Sequence, residues 1–244
     1  MAGISRGGDN TSDGIAWGIA EASALRRRSV LGNAGGDISI VDKFLTELEE
    51  QVLAKLNEEE RTPIPEAWFL SAQSQMWIFA AYEVLRTWRQ RANDIVRWAD
   101  NGGLKHKLEA LEKKLPYPHT GRLYRAEQIR RVIADPTIVD KTRNDLRLTH
   151  MVFARLGAVR ISLAKHEIKG RKASIAERPG YGRINQWCGS LDYELEHSQG
   201  SLGYISRRDI ADEIRALATQ KELPSDEMIE HFDTFMRGPP DIPF

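Results

Sequence analysis

The stretch Lys141-Thr-Arg-Asn-Asp-Leu-Arg-Leu-Thr-His150 lies in a longer segment, Asp135 to Lys169, around which the rest of the chain is organised. Asp135-Pro136 is a helix start signal, because an aspartate side chain can cap a helix and proline fits the first helical position. Apolar residues then recur at the helical spacings of three, four and seven; they are Leu146, Val152, Phe153, Leu156, Val159, Ile161 and Leu163. The segment therefore predicts one long helix, largely buried in a bundle.

A small polar cluster occupies the first half of this predicted helix. Arg143, Arg147 and His150 stand four and then three residues apart, so their side chains share one face of a regular helix. Ala154 and Gly157 continue that face with small side chains, which would let another backbone approach closely. The polar cluster is therefore the first candidate for a functional site.

Composition indicates a soluble globular protein. The chain has 244 residues, enough for one or two domains with a sizeable core, and 41% of them are hydrophobic. No apolar run approaches the ~18 residues that a membrane helix needs, and the first residues lack the apolar core of a secretory signal. Cys188 is the single cysteine, which excludes an internal disulfide and fits a reducing compartment. We therefore expect a cytoplasmic protein that does not associate with membranes.

Charge is balanced overall but not along the chain. Lys and Arg together equal Asp and Glu at 35 each, which argues against a general nucleic-acid coating protein. Residues 119–172 carry 13 basic and 5 acidic residues, whereas residues 42–60 carry 2 and 7, and residues 192–244 carry 5 and 12. Two interpretations follow: the acidic segments pair with the basic one inside the fold, or the basic segment forms a face that meets an anion.

The sequence predicts a mainly α fold, a multi-helix bundle with a small C-terminal β-hairpin and two short helices. Residues 1–36 are rich in Gly, Ser, Asn and Asp and are predicted to form a flexible N-terminal tail. Residues 37–170 are predicted to form the α-helical bundle. Its helices span 40–60, 66–100, 104–115, 122–134 and 135–169, and Pro or Gly residues separate most of them.

The predicted helix over 66–100 carries two apolar stripes, both of which we expect to fill the core. One consists of Trp77, Ala81, Val84 and Trp88, and the other of Phe69, Met76, Ala80 and Glu83. Glu83 is unusual, because a carboxylate among apolar neighbours needs a partner. Arg143, Arg147 and the nearby Arg86 are the candidates.

Residues 171–244 change character and are predicted to form a small α/β appendage. Leu191, Tyr193 and Leu195 alternate with acidic residues, which is the period of two of a half-buried strand. A loop rich in polar residues follows, and an apolar segment returns after it. We therefore predict a hairpin over 184–205.

Two helices are predicted after the hairpin. Ser206 and Asp209 resemble a capping box, with Asp in place of the usual Glu or Gln, and they open a helix over 206–222. Ser225 then caps a last helix over 225–237.

Common catalytic signatures do not occur in the sequence. There is no phosphate-binding loop of the Walker type, no G-x-S-x-G elbow, no H-E-x-x-H and no pair of cysteines. The six histidines lie far apart in sequence. We therefore expect neither a metal site nor a cofactor.

Arg143-Asn144 followed by His150 resembles the motif of the HEPN superfamily. Its members are helical bundles with an R-x(4–6)-H motif near the start of the last long helix, and the residue after the arginine is often Asn, Asp or His. The resemblance covers about residues 40–168. It implies a metal-independent endoribonuclease or RNA-binding protein in which two protomers bring their motifs together, so it also implies a homodimer.

The resemblance assigns catalytic roles to three residues. In such an enzyme an RNA 2′-hydroxyl attacks the adjacent phosphate, His150 acts as general acid and base, and Arg143 stabilises charge on the phosphate oxygens. Asn144 orients one of these groups. The small face at Ala154 and Gly157 suits the close helix pairing of a dimer.

An alternative from another class is a non-catalytic interaction or regulatory module. In this hypothesis the basic helical face of residues 119–172 binds an acidic protein partner, with Arg130, Arg131 and Arg147 as binding residues. The polar cluster then only fixes helix register, by pairing with Glu83 or with the acids of residues 42–60. Salt-sensitive binding that does not need His150 distinguishes this module from the ribonuclease.

Overall fold

The computed structural model describes residues 30–113, 116–117, 119–164, 182–197 and 200–238. They form a mainly α fold with one small antiparallel sheet, which confirms the predicted fold class. The helices are α1 (Val30–Glu59), α2 (Ile64–Asp100), α3 (Leu104–Glu112), α4 (Thr120–Ala134), α5 (Thr137–Leu148), α6 (His150–Ala164), α7 (Arg207–Ala216) and α8 (Asp226–Arg237). The strands are β1 (Gly182–Ile184), β2 (Leu191–His197) and β3 (Gly200–Ser206).

The first helix begins earlier than the sequence predicts. α1 starts at Val30, so the predicted tail over residues 1–36 is wrong for residues 30–36, and residues 1–29 lie outside the described part. The helix is fixed downstream, where Ile38 is buried and its carbonyl accepts a hydrogen bond from Trp77 Nε1 at 3.1 Å. Propagation of a formed helix costs far less than nucleation, so α1 can extend upstream into weak helix formers.

α1 and α2 form an antiparallel helical hairpin. Pro63 stands at the N-cap of α2 and a further proline lies in its first turn, where a missing N–H costs nothing. The ion pair between Lys55 and Glu66 joins the ends next to the turn. Leu45 and Val52 of α1 are fully buried in the core. The helical hairpin therefore forms one side of the bundle and contributes to its core.

One of the two predicted stripes of α2 is buried and the other is not. Trp77, Ala81 and Trp88 lie in the core, as predicted, but Phe69 and Met76 are about half-exposed. The prediction for the second stripe is wrong because only the side of α2 that faces α1, α5 and α6 is covered within the described residues.

The predicted long helix over 135–169 is divided. Its described residues form α5 and α6, which meet at Thr149, and residues 165–169 lie outside the described part. Arg89 of α2 donates from Nη1 to the Leu146 carbonyl at 2.7 Å and to Thr149 Oγ1 at 2.6 Å. The guanidinium thus takes a carbonyl that a regular helix would offer to His150.

The sheet has the order β1-β2-β3, and each neighbouring pair is antiparallel. The hairpin of β2 and β3 matches the predicted hairpin, with Tyr193 opposite Ile205. The sequence missed β1, whose residues Gly182 to Ile184 pair with Tyr193 to Leu191, because the strand is short and its neighbours are typical turn residues. A Cβ at Gly182 would come within 2.9 Å of the Leu191 Cβ, so only glycine fits there.

Local capping signals place the last two helices. The Ser206–Asp209 capping box is present, with Asp209 N donating to Ser206 Oγ at 3.0 Å and Ser206 N donating to Asp209 Oδ2 at 2.9 Å. Ser225 caps α8 through Met228 N at 3.1 Å. The predicted end at residue 222 is wrong: α7 stops at Ala216, and Ala218 N and Thr219 N then donate to the carbonyls three residues back, which closes the helix in a tight turn.

A single hydrophobic cluster joins the helices to the C-terminal sheet. It contains buried residues of α1, α2, α6, β2, β3 and α7, including Leu45, Trp77, Leu156, Tyr193 and Ile210. A smaller cluster around Ile95, Val132, Ile138 and Val139 lies between α2, α4 and α5. The C-terminal strands therefore pack on the bundle instead of standing apart from it.

A buried ion cluster ties α1 to the start of α7. Arg207 is 0% exposed and binds Glu49 with two hydrogen bonds, from Nε at 2.7 Å and from Nη2 at 2.8 Å. Its Nη1 donates to Asp42, and its guanidinium lies 5.3 Å from the centre of the Trp77 ring. Arg208 adds a bond from Nε to Glu49 at 2.8 Å. Every buried charge in this cluster is therefore paired, as burial requires.

The electrostatics of the cluster favour the charged forms. Burial alone would raise the pKa of Glu49, but hydrogen bonds and positive charge from Arg207, with help from Arg208, hold that pKa below its usual value. Burial would lower the pKa of Arg207, and its two carboxylate partners raise it instead. Because the charges of the cluster compensate one another, we assign the cluster a structural role in the fold.

None of the helices in the described part of the chain combines the length and the apolar character that crossing a bilayer requires.

Candidate functional site

Arg143 and Asn144 lie on the exposed side of α5. The Arg143 side chain is 44% exposed and pairs with two carboxylates, Asp140 one turn away at 2.8 Å and Asp100 at the end of α2. Asn144 is exposed as well. The arginine is thus accessible to a ligand, provided that the ligand competes with two acidic residues.

Arg147 and His150 face a different element. Arg147 donates from Nε to the Pro224 carbonyl, and its Nη2 lies 2.6 Å from Asp226 at the start of α8. His150 Nε2 lies 2.7 Å from Asp233 Oδ1, in the middle of α8. The sequence predicts that Arg147 and His150 share one face with Arg143. In the structure Arg147 and His150 both bind α8, whereas Arg143 binds carboxylates of α2 and α5.

The partners predicted for the polar cluster are wrong. Glu83 is about half-exposed and pairs with Arg86, its local candidate, at 2.8 Å. The acids of residues 42–60 that were expected to bind the cluster include Asp42 and Glu49, which bind C-terminal arginines instead. The predicted role of the cluster in fixing helix packing therefore survives only with other acids, those of α2, α5 and α8.

The predicted dimer face is partly covered within the chain. A Cβ on Gly157 would meet the Tyr82 ring of α2 at 3.6 Å, which is ordinary contact. Tyr82 in turn stacks on Phe153 at 5.3 Å between ring centroids. The small residue thus accommodates a side chain of the same protomer.

Arg130 and Arg131, the predicted binding residues of α4, are engaged. Arg130 pairs with Glu112 of α3 at 2.7 Å and with Glu127 at 2.8 Å. Arg131 is half-buried and also has an interaction partner. The positive charge of Arg130 is therefore compensated by these carboxylates, and its pair with Glu112 joins α3 to α4.

A second concentration of positive charge lies nearby, where the end of α2 meets α3 and α4. We call it the basic cleft: a cavity of about 450 Å³ lined by Arg91, Lys107, Arg122 and Arg125, with Trp98 and Tyr124 as its aromatic walls. Asp94 is the one carboxylate among the described residues that line it. This site could not be recognised in the sequence, because its residues come from three helices and form no motif.

Two cations of the cleft are held against the ring of Trp98. Lys107 Nζ lies 4.9 Å from the ring centre, and the Arg125 guanidinium lies 5.3 Å from it. Contact of a cation with an aromatic face is attractive and limits the positions that a long side chain can take. The indole thus fixes both charges at the cleft.

Arg122 and Arg125 are also positioned by backbone carbonyls. Arg122 Nε donates to the Leu111 carbonyl at 2.6 Å, and its Nη2 donates to Lys113 at 3.1 Å and to Ala110. These bonds satisfy carbonyls at the end of α3, whose last residue is Glu112; residues 114–115 of the predicted helix lie outside the described part. Arg125 Nη2 donates to the Arg91 carbonyl at 3.2 Å.

Charge in the cleft is only partly compensated. Burial, with a contribution from the neighbouring charge of Arg91, lowers the pKa of Arg125 to about 10, and Asp94 at 4.0 Å offsets little of this. Asp94 also pairs with Arg97. Arg91 and Lys107 have no carboxylate partner among the described residues. The cleft can therefore bind an anion.

Comparison of the chain with models of protein families, with curated proteins and with solved structures found no match. Within the described part of the chain, no three His, Cys, Asp or Glu side chains come close enough together to hold a metal ion. The assignment of function therefore depends on the geometry of the two sites.

Proposed function

We propose that the protein is a non-catalytic interaction module that binds an acidic protein partner through the basic helical face formed by α3, α4 and the end of α2. The observation that carries this proposal is the basic cleft, whose described lining includes Arg91, Lys107, Arg122 and Arg125 but only one carboxylate. Excess positive charge around a recess attracts anions over several ångströms and accelerates their association.

The use of charge elsewhere supports this choice. Arg130, Arg143, Arg147 and Arg155 of the basic segment each pair with a carboxylate of the same chain. Arg91 and Lys107 have no such partner in the described part. The cleft is therefore the part of the basic face where an acidic partner would compensate positive charge that the described residues leave unpaired.

The test is the binding of fluorescently labelled poly-L-glutamate, measured by anisotropy over a series of salt concentrations. We expect salt-sensitive binding by the wild type and a dissociation constant at least tenfold higher for Lys107→Glu. Lys105→Glu is the matched control, because Lys105 lies on the same helix, is exposed and does not line the cleft. An equal loss in both variants, or no binding by the wild type at low salt, contradicts the proposal.

A second candidate function is metal-independent RNA cleavage by a HEPN-like homodimer, and the contact of His150 with Asp233 favours it. A carboxylate 2.7 Å from Nε2 holds the imidazole in one orientation, as a general acid and base requires. Arg143 is accessible for a phosphate oxygen. In the reaction the 2′-oxygen bonds to phosphorus, the bond to the 5′-oxygen breaks, and His150 transfers the proton between them.

RNA cleavage is tested with a single-stranded RNA in the presence of a metal chelator. We expect His150→Ala to abolish cleavage and Asp233→Asn to reduce it, while circular dichroism retains the helical signal. Lys141→Ala, an exposed cation on α5 outside the motif, is the control. Absence of cleavage by the wild type, or cleavage that survives His150→Ala, removes this candidate and leaves the binding module untouched.

A further inference from the structure

The basic cleft is recessed. Three helices surround it, and the side chain of Arg125 is only 15% exposed. A small molecule fits in a cavity of about 450 Å³, which lies within the usual range of ligand sites, and it reaches Arg125 more readily than the side chains of a protein partner do.

The donors of the cleft are prepared for a ligand. Arg122 uses Nε and Nη2 for the carbonyls at the end of α3, so both N–H groups of its Nη1 have no acceptor among the described residues. Arg125 bonds to the Arg91 carbonyl through Nη2 and to Gln128 through Nη1 at 3.2 Å, and its Nε–H is unused in the same part of the chain. Side chains fixed in this way lose little entropy when a ligand binds.

The balance of charge selects the ligand. Arg91, Lys107, Arg122 and Arg125 supply four positive charges, and Asp94, which Arg97 shares, supplies one negative charge. A ligand with two or more negative charges on one compact group compensates this excess best. Guanidinium groups match the tetrahedral oxygens of phosphate, because their N–H donors form a planar fork.

From these observations we propose that the basic cleft binds the phosphate group of a phosphorylated small molecule, a monoester or diphosphate that carries at least two negative charges. This inference goes beyond the proposed function, because it assigns a small-molecule ligand to the recessed part of the same basic face. Tyr124 provides an aromatic wall at which the remainder of the molecule can pack. A nucleic-acid phosphodiester suits the cleft less well, because each of its phosphates carries a single charge.

The experiment is isothermal titration of the full chain with inorganic pyrophosphate, with citrate as a polyanion that lacks phosphate geometry. We expect saturable binding of one pyrophosphate per chain and at least tenfold weaker binding of citrate. Arg91→Gln and Lys107→Gln should each raise the dissociation constant at least tenfold, whereas Lys105→Gln should change it less than twofold. Circular dichroism checks that each variant is folded.

The outcomes separate the two proposals. Absence of saturable pyrophosphate binding, equal binding of citrate, or equal binding by Lys107→Gln and Lys105→Gln overturns the phosphate site. Should poly-L-glutamate still bind through Lys107 in that case, the interaction module stands without it. If pyrophosphate binds as expected and poly-L-glutamate does not, the phosphate site stands and the acidic protein partner is wrong.

Discussion

Arg207 shows how one side chain can join distant parts of a chain. Its guanidinium, the two carboxylates of α1 and the Trp77 ring are packed together without solvent. Such clusters add little net stability relative to apolar packing, but removal of one partner leaves a buried charge uncompensated. The cluster therefore acts mainly as a constraint on which surfaces meet.

We predict that Arg207→Met lowers the free energy of unfolding by about 3 kcal/mol. Glu49 would then lose two hydrogen bonds, and Arg208 would remain as its one cationic partner among the described residues. Urea denaturation measures the change. Arg86→Met is the control, since its ion pair with Glu83 is local and half-exposed, and it should change stability by less than about 0.5 kcal/mol. Similar values for both variants would show that the buried cluster does not constrain the fold.

The lowered pKa of Glu49 predicts a dependence of stability on pH. The unfolded chain takes up a proton at Glu49 near the ordinary pKa of 4.5, whereas the folded protein does so only at lower pH. The stabilisation is therefore complete above this value and is lost as the pH falls through the lowered pKa. Denaturation in urea between about pH 5 and pH 3 should give a steeper loss for the wild type than for Glu49→Gln. Parallel curves would contradict the assignment.

Net charge by segment was a poor guide at this scale. The acidic balance of residues 42–60 and 192–244 suggested that both segments pair with the basic one. Asp226 and Asp233 do bind basic residues of that segment, but Asp42 and Glu49 bind arginines from the acidic C-terminal part. The net charge of a segment does not show which arginine the fold places next to which carboxylate.

Among the elements, those with local signals could be predicted from the sequence. Ser206 with Asp209 specifies the start of α7, because the residues that cap the helix are three positions apart. The break at Thr149 could not be predicted, since its cause is a guanidinium from a position 60 residues away in sequence. Long-range hydrogen bonds of this kind leave no periodic pattern.

The docking of α8 can be tested at the same scale. Phe232 is the one buried residue of α8, and the Arg155 guanidinium lies 5.3 Å from the centre of the Phe232 ring. We predict that Phe232→Ala increases amide hydrogen exchange across α8 at least tenfold, because buried phenylalanines contribute about 3–5 kcal/mol. Exchange in α1 and α2 should not change. Phe235→Ala removes a ring that is 53% exposed and serves as the control; equal effects would place the anchor elsewhere.

The whole molecule should unfold in one step. Buried residues of the helices and of the C-terminal sheet belong to one cluster, so neither part keeps its core without the other. We predict that far-ultraviolet circular dichroism and tryptophan fluorescence report the same midpoint in urea. Two separated transitions would show that the C-terminal part is an independent unit.

The candidate sites could be predicted only in part. The sequence identified Arg143 and His150 from their spacing, yet their partners Asp100 and Asp233 come from α2 and α8. It indicated a basic region that includes Arg122 and Arg125, but Arg91 and Lys107 lie outside that segment. The cleft exists because α2 ends where α3 and α4 begin to pack, and this meeting point is a property of the tertiary fold.

The contact between Glu49 and Arg207 also has a consequence for folding during synthesis on the ribosome. The two residues are 158 positions apart, so α1 is synthesised long before the cation that its carboxylates require. Until then the nascent chain must keep those carboxylates hydrated, so the side of α1 that carries them cannot be buried. Translation of the last quarter of the chain thus decides when the folded state becomes available.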